Sequence, residues 1–289
     1  MRTDDGPQDA GSDDHVSGIL FIGGGNMATA LIGGIVARGH PATAIAVVEP
    51  AAAQREALAS RFAGIRCVGD AGEASLAGVS LVVLAVKPQQ ARAACMAIAA
   101  SIHAVPALLS IAAGVRCAEL CRWLGGYARI VRAMPNTPAL VGAGVTGVYA
   151  TPDVPTAGLD AATGLLRAAG EIVTCAREAA LDAVTGVSGS GPAYVFYFLE
   201  GLMEAAMELG FGEADARKLA YTTFEGAIKL AQASGAEPAT LRAQVTSKGG
   251  TTERAISMLE RADVKRHFID AVKAAAARAH ELGDAAGNE

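Results

Sequence analysis

From Gly18 to about Thr174, short runs of β-branched and aliphatic residues alternate with longer Ala-rich stretches whose apolar residues fall at helical spacing. The runs Ile19–Ile22, Ile45–Val48, Leu81–Val86, Ala107–Ser110 and Arg129–Met134 are predicted strands, with Gly144–Tyr149 and Ile172–Thr174 as later candidates. Strands that alternate with helices need crossover connections and so predict a mainly parallel sheet. The run LVVLAV is apolar at every position, the pattern of a central strand covered on both faces. After Arg177 no convincing strand is left, and long Ala, Leu and Glu segments take over. The expected class is α/β: a Rossmann-type, mainly parallel sheet over 16–177, then an all-helical domain over 178–289, with 1–15 set apart as a flexible acidic arm.

In the helical part, residues 190–211 (SGPAYVFYFLEGLMEAAMELGF) predict one long helix capped by Ser190, with Pro192 in its first turn and Gly210 at its exit. Glu200, Glu204 and Glu208 make a single polar stripe on an otherwise apolar helix, so it must be covered on more than one side. Either a second copy of the chain or this chain's own bundle would supply that cover. A following helix, about Glu213–Ala233, repeats small residues at Ala216, Ala220, Thr223, Ala227 and Ala231, a ridge that admits a close helical neighbour.

Composition narrows the function classes. Of 289 residues, 52% are hydrophobic and 18% charged, the reverse of a disordered chain, and the length suits two domains. The net charge is -5, but five aspartates against Arg2 in the arm hold most of it, and the body is nearly neutral. Such a body has no broad field to attract nucleic acid or an anionic membrane, so any bound anion must be held locally. No apolar stretch suits a membrane span, and the N-terminus is acidic where a secretory leader is basic. A cytoplasmic address, with neither nucleic acid nor membrane as partner, is expected. The five cysteines are scattered without a CxxC, and read as reduced thiols with no metal site.

The first predicted strand runs directly into Gly23-Gly24-Gly25-Asn26-Met27-Ala28 and then a helical stretch, which is GxGxxA in the strand, turn, helix context of a dinucleotide site. Gly23 permits the tight turn, Gly25 leaves room where pyrophosphate meets backbone, and Ala28 lets helix pack on strand. Asn26 and Met27 open the helix whose free N–H groups and dipole face the phosphates. Glu49 ends the second strand, where an acid would bond the adenosine ribose 2'-hydroxyl and favour NADH over NADPH. An ordinary solvated acid is the other reading of Glu49, and Arg55 would offset its charge if it turned toward the ribose. Val86, Lys87 and Pro88 follow another strand end, at the rim of the same cleft.

Four segments exceed what packing requires: VKP at 86–88, RAMPNTPALVGAG at 132–144, VSGSGPAYV at 187–195 and VTSKGGTTERAI at 245–256. In this order and spacing they resemble the pyrroline-5-carboxylate reductases, over essentially residues 18–282. The resemblance implies a Rossmann domain joined to an all-helical dimerisation domain, hence a homo-oligomer built from dimers. It also implies reduction of Δ1-pyrroline-5-carboxylate to L-proline, the last step of proline biosynthesis, by NADPH or NADH. Independently of the family, Gly249, Gly250 and Thr251 lie between a polar turn and a helix, so their N–H groups can grip a substrate carboxylate, although a plain helix start would look the same. Ser247 and Thr252 add hydroxyl donors, and by resemblance Thr252 faces the ring nitrogen. Asn136, between two prolines, is expected beside the nicotinamide, and Ser188 near the same cleft.

No histidine lies in these segments, so positioning of an already electrophilic protonated imine, rather than strong acid-base catalysis, is the expected mechanism. Two features depart from the family: Lys248 stands where proline is usual, and Glu49 leans toward NADH where members often use NADPH. The alternatives are a related β-hydroxyacid-type dehydrogenase, for which Lys218 and Lys229 are the available helical lysines, and a nucleotide sensor without turnover.

Overall fold

The structure, a computed structural model, describes residues 18–287; the acidic arm assigned to 1–15 lies outside the described residues. Among them the strands are β1 (Gly18–Ile22), β2 (Ile45–Val48), β3 (Arg66–Val68), β4 (Val79–Leu84), β5 (Ala107–Ser110), β6 (Ile130–Met134), β7 (Gly144–Ala150) and β8 (Gly170–Thr174). They form one sheet in the order β3-β2-β1-β4-β5-β6-β7-β8. The first six strands run parallel, while β7 is antiparallel to β6 and parallel to β8. The helices threaded among them are α1 (Asn26–Ala37), α2 (Ala52–Arg61), α3 (Pro88–Ile98), α4 (Cys117–Trp123) and α5 (Thr156–Arg167).

Alternation along the strands builds two cores. Ile19 and Phe21 of β1 face Ala28, Leu31 and Ile32 of α1, Leu58 of α2 and Leu165 of α5. Leu20 and Ile22 face the opposite side, with Ala91, Cys95 and Ile98 of α3 and Leu120 of α4. Both faces of β1 and β4 are therefore buried, as the all-apolar run LVVLAV requires, and each large side chain so covered contributes about 1.5–3 kcal/mol. That strand is shifted from its predicted span, Leu81–Val86, to Val79–Leu84. The last bond of its ladder with β1 runs from the Ala85 N–H to the Ile22 carbonyl at 2.8 Å, beyond which β1 enters its glycine turn. A Cβ on Gly23 would lie 2.6 Å from the Ala85 oxygen.

β3, absent from the predicted strands, has three residues at the sheet edge, with Arg66 exposed. β7 reverses because the link from β6 is only a short 3-10 turn, Thr137–Val141, closed by Gly142 in the left-handed region at φ 73°. A parallel return needs a crossover of about a dozen residues or more, so so short a link dictates an antiparallel partner.

The remainder is helical: α6 (Ala180–Val184), α7 (Gly191–Glu208), α8 (Glu213–Ser234), α9 (Pro238–Gln244), α10 (Thr251–Arg261) and α11 (Val264–Gly287). Ser190 does not cap α7 as expected: it is itself helical (φ -84°, ψ -18°), and the chain enters α7 from α6 through a π-helical turn at Thr185–Gly189. Gly186 makes that turn possible, since a Cβ there would lie 2.8 Å from the Ala276 backbone of α11. Gly210 does end the helix, at φ 97°.

α7 packs along α8, yet none of its residues is buried; Tyr197 is 72% and Phe196 57% exposed. The long apolar helix is thus not central to this chain's own bundle. Polar contacts tie the helical part to the sheet domain and brace it internally. Buried Arg132 of β6 bonds Glu178 Oε1 at 2.8 Å, and the same oxygen accepts the Cys117 N–H at 2.7 Å. Arg116 meets Asp284 of α11 at 2.7 Å, and His280 Nδ1 lies 3.0 Å from Asp182. Among the described residues no helix is long and apolar enough to cross a membrane.

Candidate active site

The dinucleotide turn lies at the carboxyl end of β1, between β2 and β4, where the strand order reverses and ligands of open α/β sheets bind. Gly23 is left-handed (φ 98°) and pressed against Ala85 and Val86, so its place in the turn admits no side chain. Gly25 differs: it starts α1 in ordinary extended backbone, and a Cβ on it would meet nothing within 4 Å. The chain's own packing does not demand glycine there, whereas a phosphate lying against the backbone would. Asn26, Met27 and Ala28 present main-chain N–H groups with no acceptor among the described residues, at the positive end of a 12-residue helix. Ala28 itself is buried against the sheet, as close packing of helix on strand requires.

Glu49 closes the other side of the turn. Its Oε2 accepts the Gly24 N–H at 2.9 Å, and its Oε1 the Ala51 N–H at 2.9 Å. Gln54 Nε2 donates to the Gly24 carbonyl at 2.5 Å. Arg55 turns back onto the main chain, donating to the carbonyls of Glu49 and Pro50 at 2.8 and 2.7 Å. Nearby on β3, burial raises the Cys67 thiol's pKa, and the Arg55 charge partly opposes that shift. Val86 packs over Gly23, exposed Lys87 precedes α3, and Pro88 occupies its first turn.

Asn136 is buried and spans two backbones: its Oδ1 accepts the Val145 N–H at 2.9 Å, and its Nδ2 donates to the Ser188 carbonyl at 3.1 Å. It ties the β6–β7 turn to the π-helical turn. Ser188 spends its own hydroxyl proton on the Val184 carbonyl at 3.0 Å. Both residues line a cavity of about 460 Å³ with Pro138, Val187, Tyr194 and Phe268. Gly189 lies against Met134, whose Cε would stand 2.9 Å from a Cβ there.

The second glycine-rich turn lies at the start of α10. Of the amides read from the sequence as carboxylate donors, two are spent internally. Gly249 N–H donates to Glu253 Oε2 at 2.6 Å, and Gly250 N–H to the Ser247 carbonyl at 3.0 Å. The N–H groups without an acceptor among the described residues are those of Thr251, Thr252 and Glu253, one turn further on. Ser247 and Thr251 are exposed and Thr252 half-buried. Every hydrogen bond of this turn stays within the turn and α10, and α11 is the helix against which α10 packs extensively. No hydrogen bond among the described residues joins this turn to the dinucleotide turn. Lys218 and Lys229, the helical lysines of a hydroxyacid dehydrogenase reading, lie on α8, where Lys229 pairs with Glu225 at 2.5 Å.

Fold and turn define a class: a two-domain, nicotinamide-dependent oxidoreductase with a helical second domain. Residues 18–114 match the family model described as NADP oxidoreductase coenzyme F420-dependent, and residues 178–282 the one described as pyrroline-5-carboxylate reductase dimerisation. The chain is 44% identical to a Pseudomonas aeruginosa pyrroline-5-carboxylate reductase over 93% of its own length and 98% of that protein's. A pyrroline-5-carboxylate reductase structure from Coxiella burnetii superposes with a TM-score of 0.86 at 37% identity, covering 92% of this chain and 98% of that one. The Plasmodium falciparum pyrroline carboxylate reductase, solved with NADP bound, gives 0.81 at 26% identity over 92% and 98% of the two chains. The chain belongs to the pyrroline-5-carboxylate reductase family.

Proposed function

We propose that the chain reduces Δ1-pyrroline-5-carboxylate to L-proline, with a homodimer as the working unit and the catalytic centre shared between the two turns described above. The observation that carries this reading is the pair of helix starts, α1 and α10, each presenting consecutive backbone donors without an internal acceptor. An enzyme joining a dinucleotide to a small carboxylic acid needs two such anion sites, and on a nearly neutral body they must be local, as helix starts are.

The amides of Asn26, Met27 and Ala28 would hold the pyrophosphate, with Gly25 clearing its path and Val86, Lys87 and Pro88 bordering the cleft. When bound, NADPH or NADH supplies the hydride. The amides of Thr251, Thr252 and Glu253 would hold the substrate carboxylate, and the Thr252 hydroxyl would face the protonated ring nitrogen. Asn136 and Ser188 then act by fixing the wall between the two domains. The imine carbon takes the hydride while the nitrogen keeps its proton, so the double bond becomes the C–H and N–H of proline without a residue that must surrender a proton. Orientation and charge stabilisation are the protein's contribution.

The exposed apolar face of α7 supports pairing of two copies through the helical domain, as does the match of residues 178–282 to a dimerisation family. Pairing is the means by which one copy's α10 turn would meet the other's dinucleotide turn. The direct test follows the loss of the reduced nicotinamide's near-ultraviolet absorbance on adding Δ1-pyrroline-5-carboxylate, with proline identified as product. Tight cofactor binding without oxidation would instead make the chain a nucleotide sensor.

A further inference from the structure

We propose that Glu49 is a positioning residue for the pyrophosphate turn, and that its charge does not decide between NADH and NADPH. The inference rests on the cofactor site proposed above. An acid at the end of the second strand ordinarily serves the ribose 2'-hydroxyl and repels a 2'-phosphate. Here both carboxylate oxygens already hold backbone amides, Gly24 N–H and Ala51 N–H, each at 2.9 Å. Gly24 is held from its other side as well, where its carbonyl accepts Gln54 Nε2 at 2.5 Å. A Cβ on Gly24 would lie 2.7 Å from Leu58 Cδ1 and 3.3 Å from Glu49 Cβ, so a side chain there would oblige the β2–α2 unit to shift. The middle residue of the turn is therefore clasped by the β2–α2 unit, and the amides of Asn26 to Ala28 follow directly from it.

Charge at this corner is also balanced. The Arg55 guanidinium sits on the carbonyls of Glu49 and Pro50 at 2.8 and 2.7 Å, so a 2'-phosphate would approach an arginine as well as an acid. Swinging Glu49 out toward a ribose would strand the Gly24 N–H and loosen the turn that holds the phosphates. The clasp acts on the part common to both cofactors, and losing it should weaken both alike.

The experiment compares Kd for NADH and NADPH in Glu49→Ala, Glu49→Gln and Gln54→Ala, alongside thermal melts and kcat at saturating cofactor. Glu49→Ala should weaken both cofactors by about tenfold, the worth of one charge-assisted hydrogen bond, with their ratio moved less than about threefold. Glu49→Gln keeps an acceptor for Gly24 but no charge, and should recover most of the loss without changing the ratio. Gln54→Ala, which removes the other half of the clasp, should weaken both cofactors in the same way while kcat at saturation holds. If Glu49→Ala does not fold, the two other variants still decide. A Glu49→Gln protein that binds NADPH more tightly and NADH more weakly, shifting the ratio about tenfold or more, would overturn the inference. Failure of the unaltered chain to bind either dinucleotide would overturn the cofactor site itself, and this inference with it.

Discussion

Replacing Gly25 by valine should separate cofactor binding from folding. The residue has φ -68° and ψ -172°, open to any side chain, and a Cβ there meets no atom within 4 Å. A side chain restricts the unfolded chain, a gain of about 0.4–1 kcal/mol, while the poorer helix start costs a similar amount. The expected net is within about 1 kcal/mol, a change in Tm of no more than roughly 2–4 °C. Binding should suffer far more. Three amides, of Asn26, Met27 and Ala28, lack internal acceptors, and a charge-assisted hydrogen bond contributes about 1.5–3 kcal/mol. Keeping the phosphates from two of them costs about 3–6 kcal/mol, or roughly a hundred- to ten-thousandfold in Kd. Titration calorimetry with NADPH and NADH, run beside a thermal melt, measures both quantities. Gly23→Ala is the contrasting control: its methyl would sit 2.6 Å from the Ala85 carbonyl oxygen at φ 98°, so stability should fall. Gly25→Val binding within about tenfold of the parent would refute the assignment of the phosphate site, as would a Tm collapse with binding lost only in proportion.

Other outcomes follow from the same geometry. Thr252→Ala should raise KM and lower turnover with Δ1-pyrroline-5-carboxylate while the Kd of NADPH is unchanged; weakened cofactor binding alone would contradict the division of labour between the two turns. Glu178→Ala strands the buried Arg132 guanidinium, and denaturant unfolding should show a loss of about 3 kcal/mol, the low end for a broken buried pair because Glu178 is a quarter exposed. Phe196→Asp, on the exposed face of α7, should break the proposed dimer into single chains in sedimentation. Burial pushes the Cys95 thiol from 9.0 to about 12, so the folded state keeps a proton that the unfolded chain has lost. Stability should therefore fall as pH rises above about 9, by up to roughly 1.4 kcal/mol per pH unit, and Cys95→Ala should flatten that slope.

What could be read in advance follows from the range of the forces involved. β1, its glycine turn and α1 announce themselves because an apolar run, a fixed glycine spacing and a helical period are all local in sequence. The two-sided burial of LVVLAV was legible for the same reason. Its end was not, because β4 loses its partner where β1 leaves the sheet at Gly23, more than sixty residues distant in the chain. β3 has too few residues to show alternation; for the reversal of β7 the available signal was the nine-residue gap between Met134 and Gly144, too short for a parallel crossover. Ser190 looked like a cap because serine suits that place and Pro192 suits a first helical turn; the π-helical turn found instead depends on Gly186 fitting against α11. At the site, the residue types were visible but their hydrogen-bond partners were not. Glu253 claims the Gly249 amide and moves the free donors to 251–253, as Glu49 and Gln54 claim Gly24. A four-residue spacing between Gly249 and Glu253, akin to a capping box, was the available hint for the first.

Among the described residues no hydrogen bond ties the α10 turn to its own chain's nucleotide turn, and mixing two variants tests whether a second copy completes the centre. A chain bearing Gly25→Val should fail to bind cofactor and a chain bearing Thr252→Ala should turn over slowly, but if the centres are shared between copies, unfolding and renaturing them as a mixture would produce some hybrids in which one of the two centres carries both lesions and the other none. Activity should then rise above that of either variant, toward roughly a quarter of the parental level. If each chain serves itself, no such rise should appear.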